Sequence, residues 1–152
     1  MTDIVFRDAA LADLVAIVSL LADDALGRQR ENLTLPLDPA YVAAFEAIAA
    51  DANQRLIVAV DGDTIAGTLQ LSFIPGISRR GAWRGQIEAV RIAASRRGTG
   101  LGRQMIEWAV AQCAARGCSL VQLTTDKTRP DAQRFYASLG FVASHEGLKR
   151  QI

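Results

Sequence analysis

The chain has 152 residues, 50% of them hydrophobic and 22% charged, with a net charge of +1. That balance is globular and sized for one domain over residues 1–152; it excludes a disordered chain and a broad basic face for nucleic acid. A single histidine excludes a His-rich metal site, so no metal is expected, and no apolar run approaches the roughly 20 residues of a membrane span.

In chain order, the N-terminus lacks a basic region followed by an apolar signal core, which predicts a cytoplasmic protein. Residues 3–7 read as a first strand, and Asp8 is a candidate cap for the helix after it. In that helix Leu11, Leu14, Val15, Val18 and Leu21 recur at helical spacing and predict one buried face. Asp23, Asp24, Arg28, Gln29, Arg30 and Glu31 form a polar bend. Asp38-Pro39, a cap and a first-turn proline, opens a second helix running to about Ala52.

Residues 56–60 and 64–73 read as two strands around the hairpin turn Asp61-Gly62-Asp63. A loop with Arg79, Arg80, Trp83 and Arg84 follows. Next come a fourth strand at 86–93, a helix at 101–116 ended by Gly117, and a fifth strand at 119–125. A last helix is opened by Pro130 and ended by Gly140. Residues 141–143 and 148–152 read as short closing strands. The order predicts an α/β (α+β) layered domain with a mixed sheet. Cys113 and Cys118 fit neither a zinc spacing nor a disulfide framework and read as small core or near-surface thiols. His145 reads as a surface turn residue.

Arg96-Arg97-Gly98-Thr99-Gly100-Leu101-Gly102 joins the fourth strand to its helix. Glycines let backbone N–H groups crowd an anion, and the helix N-terminus adds unpaired N–H groups and its dipole. A Walker loop requires a Lys after its last Gly, and no Lys lies between Gly62 and Lys127. A dinucleotide fingerprint requires a third Gly where Arg103 stands, and it follows a first strand, not a fourth. The remaining pattern is Arg-x-x-Gly-x-Gly, met by Arg97, Gly100 and Gly102; taken alone, it is also met by a tight turn with solvated arginines.

A second motif, Ala132-Gln133-Arg134-Phe135-Tyr136-Ala137-Ser138-Leu139-Gly140-Phe141, fits Ala-x-x-Phe-Tyr-x-x-Leu-Gly-Phe. With both motifs in this order, the chain resembles the GNAT superfamily of acyl-CoA-dependent N-acetyltransferases over nearly its whole length. The resemblance implies a mostly antiparallel central sheet of about seven strands flanked by about four helices. It implies acetyl-CoA as co-substrate and a primary amine of a small molecule or peptide as acceptor, attacking directly through a tetrahedral intermediate. A homodimer is a further implication, with neither nucleic acid nor membrane as partner.

Acetyl transfer needs a held cofactor, an oxyanion donor, a neutral amine and a proton for the departing thiolate. By the resemblance, Arg97, Gly98, Thr99, Gly100, Leu101, Gly102 and Arg103 hold the pyrophosphate. Val90, Arg91 and Ile92 pair with the pantetheine arm and supply an oxyanion N–H. Tyr136 stands where the family places a general acid. The family often has Asn at the position of Arg129, which leaves that pantetheine contact open; Arg129 could instead reach a cofactor phosphate.

Glu88 is the candidate base. Strand alternation puts it on one face with Gln86, Val90 and Ile92, where apolar neighbours suit a base. A structural ion pair with Arg84 or Arg91 is the alternative. The expected acceptor walls offer Asp23, Asp24, Arg28, Glu31, Trp83 and Arg84. Acids suit a cationic amine and arginines a carboxylated one, so both classes stay open. Trp83 reads as a substrate platform or a loop anchor, and Asp126 as a substrate carboxylate or, in preference, a loop cap. A non-catalytic acyl-CoA-binding sensor or partner module shares the same cradle and is the alternative function.

Overall fold

Among the described residues five strands make one sheet, in the order β1 (Ile4–Asp8), β2 (Gln54–Asp61), β3 (Thr64–Ile74), β4 (Trp83–Ile92) and β5 (Cys118–Leu123). The computed structural model describes residues 3–152. The first four strands pair antiparallel, and β5 runs parallel to β4. A parallel neighbour requires a crossover, here α5 (Leu101–Ala115). The other helical segments are α1 (Leu14–Leu21), α2 (Ala25–Arg30), α3 (Pro39–Ala50), the single turn α4 (Ser78–Gly81) and α6 (Pro130–Ser138).

The core lies between the sheet and α5. Leu69, Leu71 and Ile87 are fully buried against Met105, Ile106 and Ala109. Gly67 sets the approach: a Cβ there would stand 2.7 Å from Met105 Sδ and 3.0 Å from the Arg91 carbonyl oxygen. α1 covers β3 and β4 with a separate buried group, Leu14, Ile17 and Val18.

Four expectations are corrected. The closing strands do not form, so the sheet has five strands instead of seven. Phe141 is tied to the end of α6, its N–H donating to the Tyr136 carbonyl at 3.1 Å and its ring lying 5.8 Å from the Tyr136 ring. Beyond it Val142, Leu148 and Ile152 project into solvent, so no face is buried to reward a ladder. The bend at 23–31 contains a helix, α2, because the Asp24 carboxylate accepts the Gly27 N–H at 2.5 Å and caps it.

Asp8 does not cap the first helix. Its carboxylate accepts from Arg55 Nε and Nη2, each at 2.9 Å, while Asp13 takes the Ala10 N–H at 2.8 Å. The buried face of α1 is also rotated. Ile17 and Leu20 are inside, whereas Leu11 and Val15 are exposed. The opening turn, Leu11–Asp13, is a 3-10 helix, whose tighter winding shifts the periodicity assumed from the sequence.

Candidate active site

The site begins where two strands part. The β4–β5 ladder runs from Trp83 opposite Cys118 to Ile87 opposite Leu123. β5 ends there, but β4 continues to Ile92. Beyond Ile87, β4 keeps β3 on one side and, among the described residues, has no strand on the other. Val90, Arg91 and Ile92 lie on this free edge, whose backbone groups can accept an added strand-like partner.

A bulge sets which way these side chains face. Gln70 pairs with Glu88 and Thr68 with Arg91, so Ala89 and Val90 together stand opposite Leu69. Ala89 takes the left-handed φ of 53°. One extra residue reverses the alternation. Val90 and Ile92 pack toward the α5 core, while Glu88 shares the opposite face with Arg91. The expectation that Glu88 lies beside Val90 and Ile92 is therefore corrected. Glu88 is exposed on a polar floor. In that floor Gln122 donates to Gln86 at 2.6 Å and Gln70 donates to Gln54 at 3.0 Å. Arg91 pairs with Asp24 and not with Glu88.

The glycine loop follows a 3-10 turn at Ala94–Arg96. Gly98 and Gly100 have φ of 76° and 88°, and a Cβ on either would meet no atom within 4 Å. Neither glycine serves packing, so the bare backbone faces open space. The first α5 bond is Gln104 N–H to the Gly100 carbonyl at 3.1 Å. The N–H groups of Leu101, Gly102 and Arg103 have no carbonyl in the helix to bond. This cradle suits a pyrophosphate, and side chains at Gly98 and Gly100 would fill it. Gly102 has a second use: a Cβ there would stand 3.4 Å from Phe135 Cζ, so it seats α6 on α5.

The neighbouring side chains have defined partners. Thr99 Oγ1 donates to the Arg96 carbonyl at 2.7 Å, and Arg96 is paired with Asp61. Arg97 Nη2 lies 3.2 Å from Asp23 Oδ2, and its Nε donates to the Ile92 carbonyl at 3.3 Å. Arg103 reaches Ser138 Oγ at 3.3 Å.

A charged cluster faces the open end of the β4–β5 pair. Asp24 Oδ2 accepts from Arg129 Nη2 at 2.7 Å and lies 3.6 Å from Arg91 Nε. Burial pushes the Asp24 carboxyl up, but the Gly27 N–H, Arg91 and Arg129 outweigh it and hold it below the usual range. Arg30, at the end of α2, is 4.0 Å from Asp126. Burial lowers the Arg91 guanidinium; Asp24 opposes this, and Arg129 and Arg30 add to it. Burial raises the Tyr136 hydroxyl, with Arg91 and Arg129 opposing. The Tyr136 ring is held edge-on by Phe135 at 5.1 Å and by Phe141.

Two sequence candidates take no part in these ion pairs. Arg28 is exposed on α2 and joins no ion pair of the cluster. Trp83 stands at the other end of β4 from Arg91 and packs against the core, about 25 Å away at strand rise. It anchors the sheet. The sequence reading missed Arg30 and the convergence of Arg91, Arg129 and Asp24. Only the Asp24-x-x-Gly27 cap had a local signal.

Residues 18–141 match the family model described as the acetyltransferase (GNAT) family. The chain belongs to this family. As a GNAT protein it is an acyltransferase with an α/β fold. It is 28% identical over 106 residues to the aminoalkylphosphonate N-acetyltransferase of Salmonella typhimurium strain LT2, spanning 70% of this chain and 68% of that one. The crystal structure of a transcriptional regulator from Bacillus halodurans C-125 is 50% identical, with a TM-score of 0.96 over 99% of this chain and 100% of that one. A predicted acetyltransferase from Clostridium acetobutylicum, crystallised with acetyl-CoA, shares the GNAT fold at 20% identity, with a TM-score of 0.74 over 98% and 96% of the two chains. Among the described residues no helix is long and apolar enough to cross a membrane.

Proposed function

We propose that this GNAT domain, residues 1–152, moves the acetyl group of acetyl-CoA directly onto a primary amine of a small molecule. The observation that carries this reading is one juxtaposition. The free edge of β4 leads through a 3-10 turn into the glycine loop at Gly98 and Gly100, and Arg91 on that edge acts electrostatically on the Tyr136 hydroxyl. The acetyl-CoA bound to the Clostridium protein and the aminoalkylphosphonate acceptor of the Salmonella enzyme support the two substrates.

In this reading the N–H groups of residues 98–103 hold the pyrophosphate, with Arg97 and Arg103 adding charge. The pantetheine arm adds to the edge of β4 at Val90, Arg91 and Ile92, and a backbone N–H there stabilises the oxyanion. Tyr136 stays protonated, since its shift is upward, and gives its proton to the departing thiolate. Glu88, exposed on the polar floor, takes the ammonium proton through water.

Free thiol release from acetyl-CoA, measured with a panel of amines, tests the proposal. Thiol released in step with acetylated amine supports it. Acetyl-CoA binding without turnover on any amine would make the chain an acyl-CoA-binding module.

A further inference from the structure

We infer that the acceptor amine carries an anionic group, a carboxylate or a phosphonate, and that Arg91 and Arg129 bind it beside Tyr136. This rests on the acetyl-transfer reading and names the substrate class of the same site. Three observations carry it.

First, three of the acids near the cluster already have partners. Asp23 is paired with Arg97, Asp126 with Arg30, and Asp24 with Arg129. Asp24 Oδ1 is also committed to the Gly27 N–H, which leaves Oδ2 to serve two arginines. A cationic acceptor finds no uncommitted carboxylate in this group.

Second, the cluster has more donors than acceptors. Each guanidinium offers five N–H donors. Arg91 donates from Nη1 to the Val90 carbonyl at 2.9 Å, but its Nε is sealed from solvent without a hydrogen-bond partner. That Nε lies 3.6 Å from Asp24 Oδ2, too far for a hydrogen bond, so the shared carboxylate leaves it incompletely satisfied, which is costly for a buried charged donor. Arg129 and Arg30 both lie close enough to repel Arg91, against the two carboxylates Asp24 and Asp126.

Third, the excess charge sits at the reacting end. Both Arg91 and Arg129 act electrostatically on the Tyr136 hydroxyl. Arg91 projects from the free edge of β4 on the face away from the α5 core. Planar guanidiniums bind carboxylate and phosphonate oxygens in pairs.

The test uses the full chain, saturating acetyl-CoA and four short amines: 3-aminopropanoate, 2-aminoethylphosphonate, 2-aminoethanol and 1,2-diaminoethane. The expected kcat/KM is at least about 10-fold higher for one or both anionic amines than for the neutral and cationic ones. Whether the carboxylate or the phosphonate leads identifies the head group. In Arg129→Gln the preference should collapse to within about 3-fold through a rise in KM, and Arg129→Lys should recover part of it. Turnover of 2-aminoethanol or 1,2-diaminoethane at least as fast as the anionic amines overturns this inference and leaves acetyl transfer standing. No turnover of any amine, with acetyl-CoA binding intact, overturns the transfer reading and this inference with it.

Discussion

Asp24 and Arg129 meet at 2.7 Å although they stand 105 positions apart in the chain. The contact ties the link between α1 and α2 to the start of α6. Because Asp24 also lies 3.6 Å from Arg91 on β4, one carboxylate joins three elements around the gap in the sheet. Several consequences can be measured.

The Asp24 carboxyl is held below its usual range, and the sign of its contribution follows. A depressed carboxyl stabilises the fold above its unfolded pKa of about 3.9, and the gain is lost as pH falls through the folded value. Asp24→Asn should therefore lower the midpoint of urea unfolding at pH 7, and the deficit against wild type should shrink as the pH falls below about 4. A deficit unchanged from pH 7 to acid would show that charge is not its cause.

Tyr136→Phe removes a hydroxyl and leaves the ring between Phe135 and Phe141. Loss of a general acid predicts a fall in kcat of about 100-fold, with the acetyl-CoA Kd within about 3-fold of wild type. Steady-state kinetics and calorimetry check the two halves separately. An unchanged kcat would remove Tyr136 from the mechanism.

Gly100 has φ of 88° and an empty Cβ position. Gly100→Ala should cost about 1 kcal/mol of stability from the left-handed backbone and raise the acetyl-CoA Kd at least about 10-fold by filling the cradle. A Kd unchanged in calorimetry would place the pyrophosphate elsewhere.

Arg97 is engaged by Asp23 at 3.2 Å, and both side chains are about half exposed. A pyrophosphate would compete with that carboxylate for the guanidinium. Asp23→Asn should tighten acetyl-CoA binding by about 2- to 5-fold, the scale of an exposed ion pair. Weaker binding in the variant would mean that Asp23 orients Arg97 for the cofactor and does not compete with it.

A Cβ at Gly85 would overlap Cys113 Sγ, and Cys113 is fully buried. Gly85→Ala should cost about 1–3 kcal/mol through overpacking and lower Tm by several degrees. Adding Cys113→Ala should restore part of the loss, because the two changes share one space. Strictly additive losses would show that the clash is relieved elsewhere.

The glycine loop and α6 were legible because their signals are local. Gly98 and Gly100 stand where positive φ is needed, and Pro130 and Gly140 bracket a helix. The hairpin at Gly62 and the crossover through α5 were legible for the same reason. The facing of Glu88 was not, because a bulge at Ala89 leaves no mark in a strand whose alternation looks regular. Nor was the acceptor wall. The sequence shows acids and arginines between residues 23 and 31, but only the fold shows that Asp23 and Asp24 are taken by Arg97 and Arg129. The closing strands expected at 141–143 and 148–152 do not form because Val142, Leu148 and Ile152 find no surface to bury against.

The central claim is tested most directly by mass spectrometry of an amine incubated with acetyl-CoA and the full chain, read beside the thiol released. Acetylated amine and free thiol should appear in equal amounts, both falling together in Tyr136→Phe. Thiol release that never yields acetylated amine, or acetyl-CoA that binds and is recovered intact with every amine tried, would contradict it.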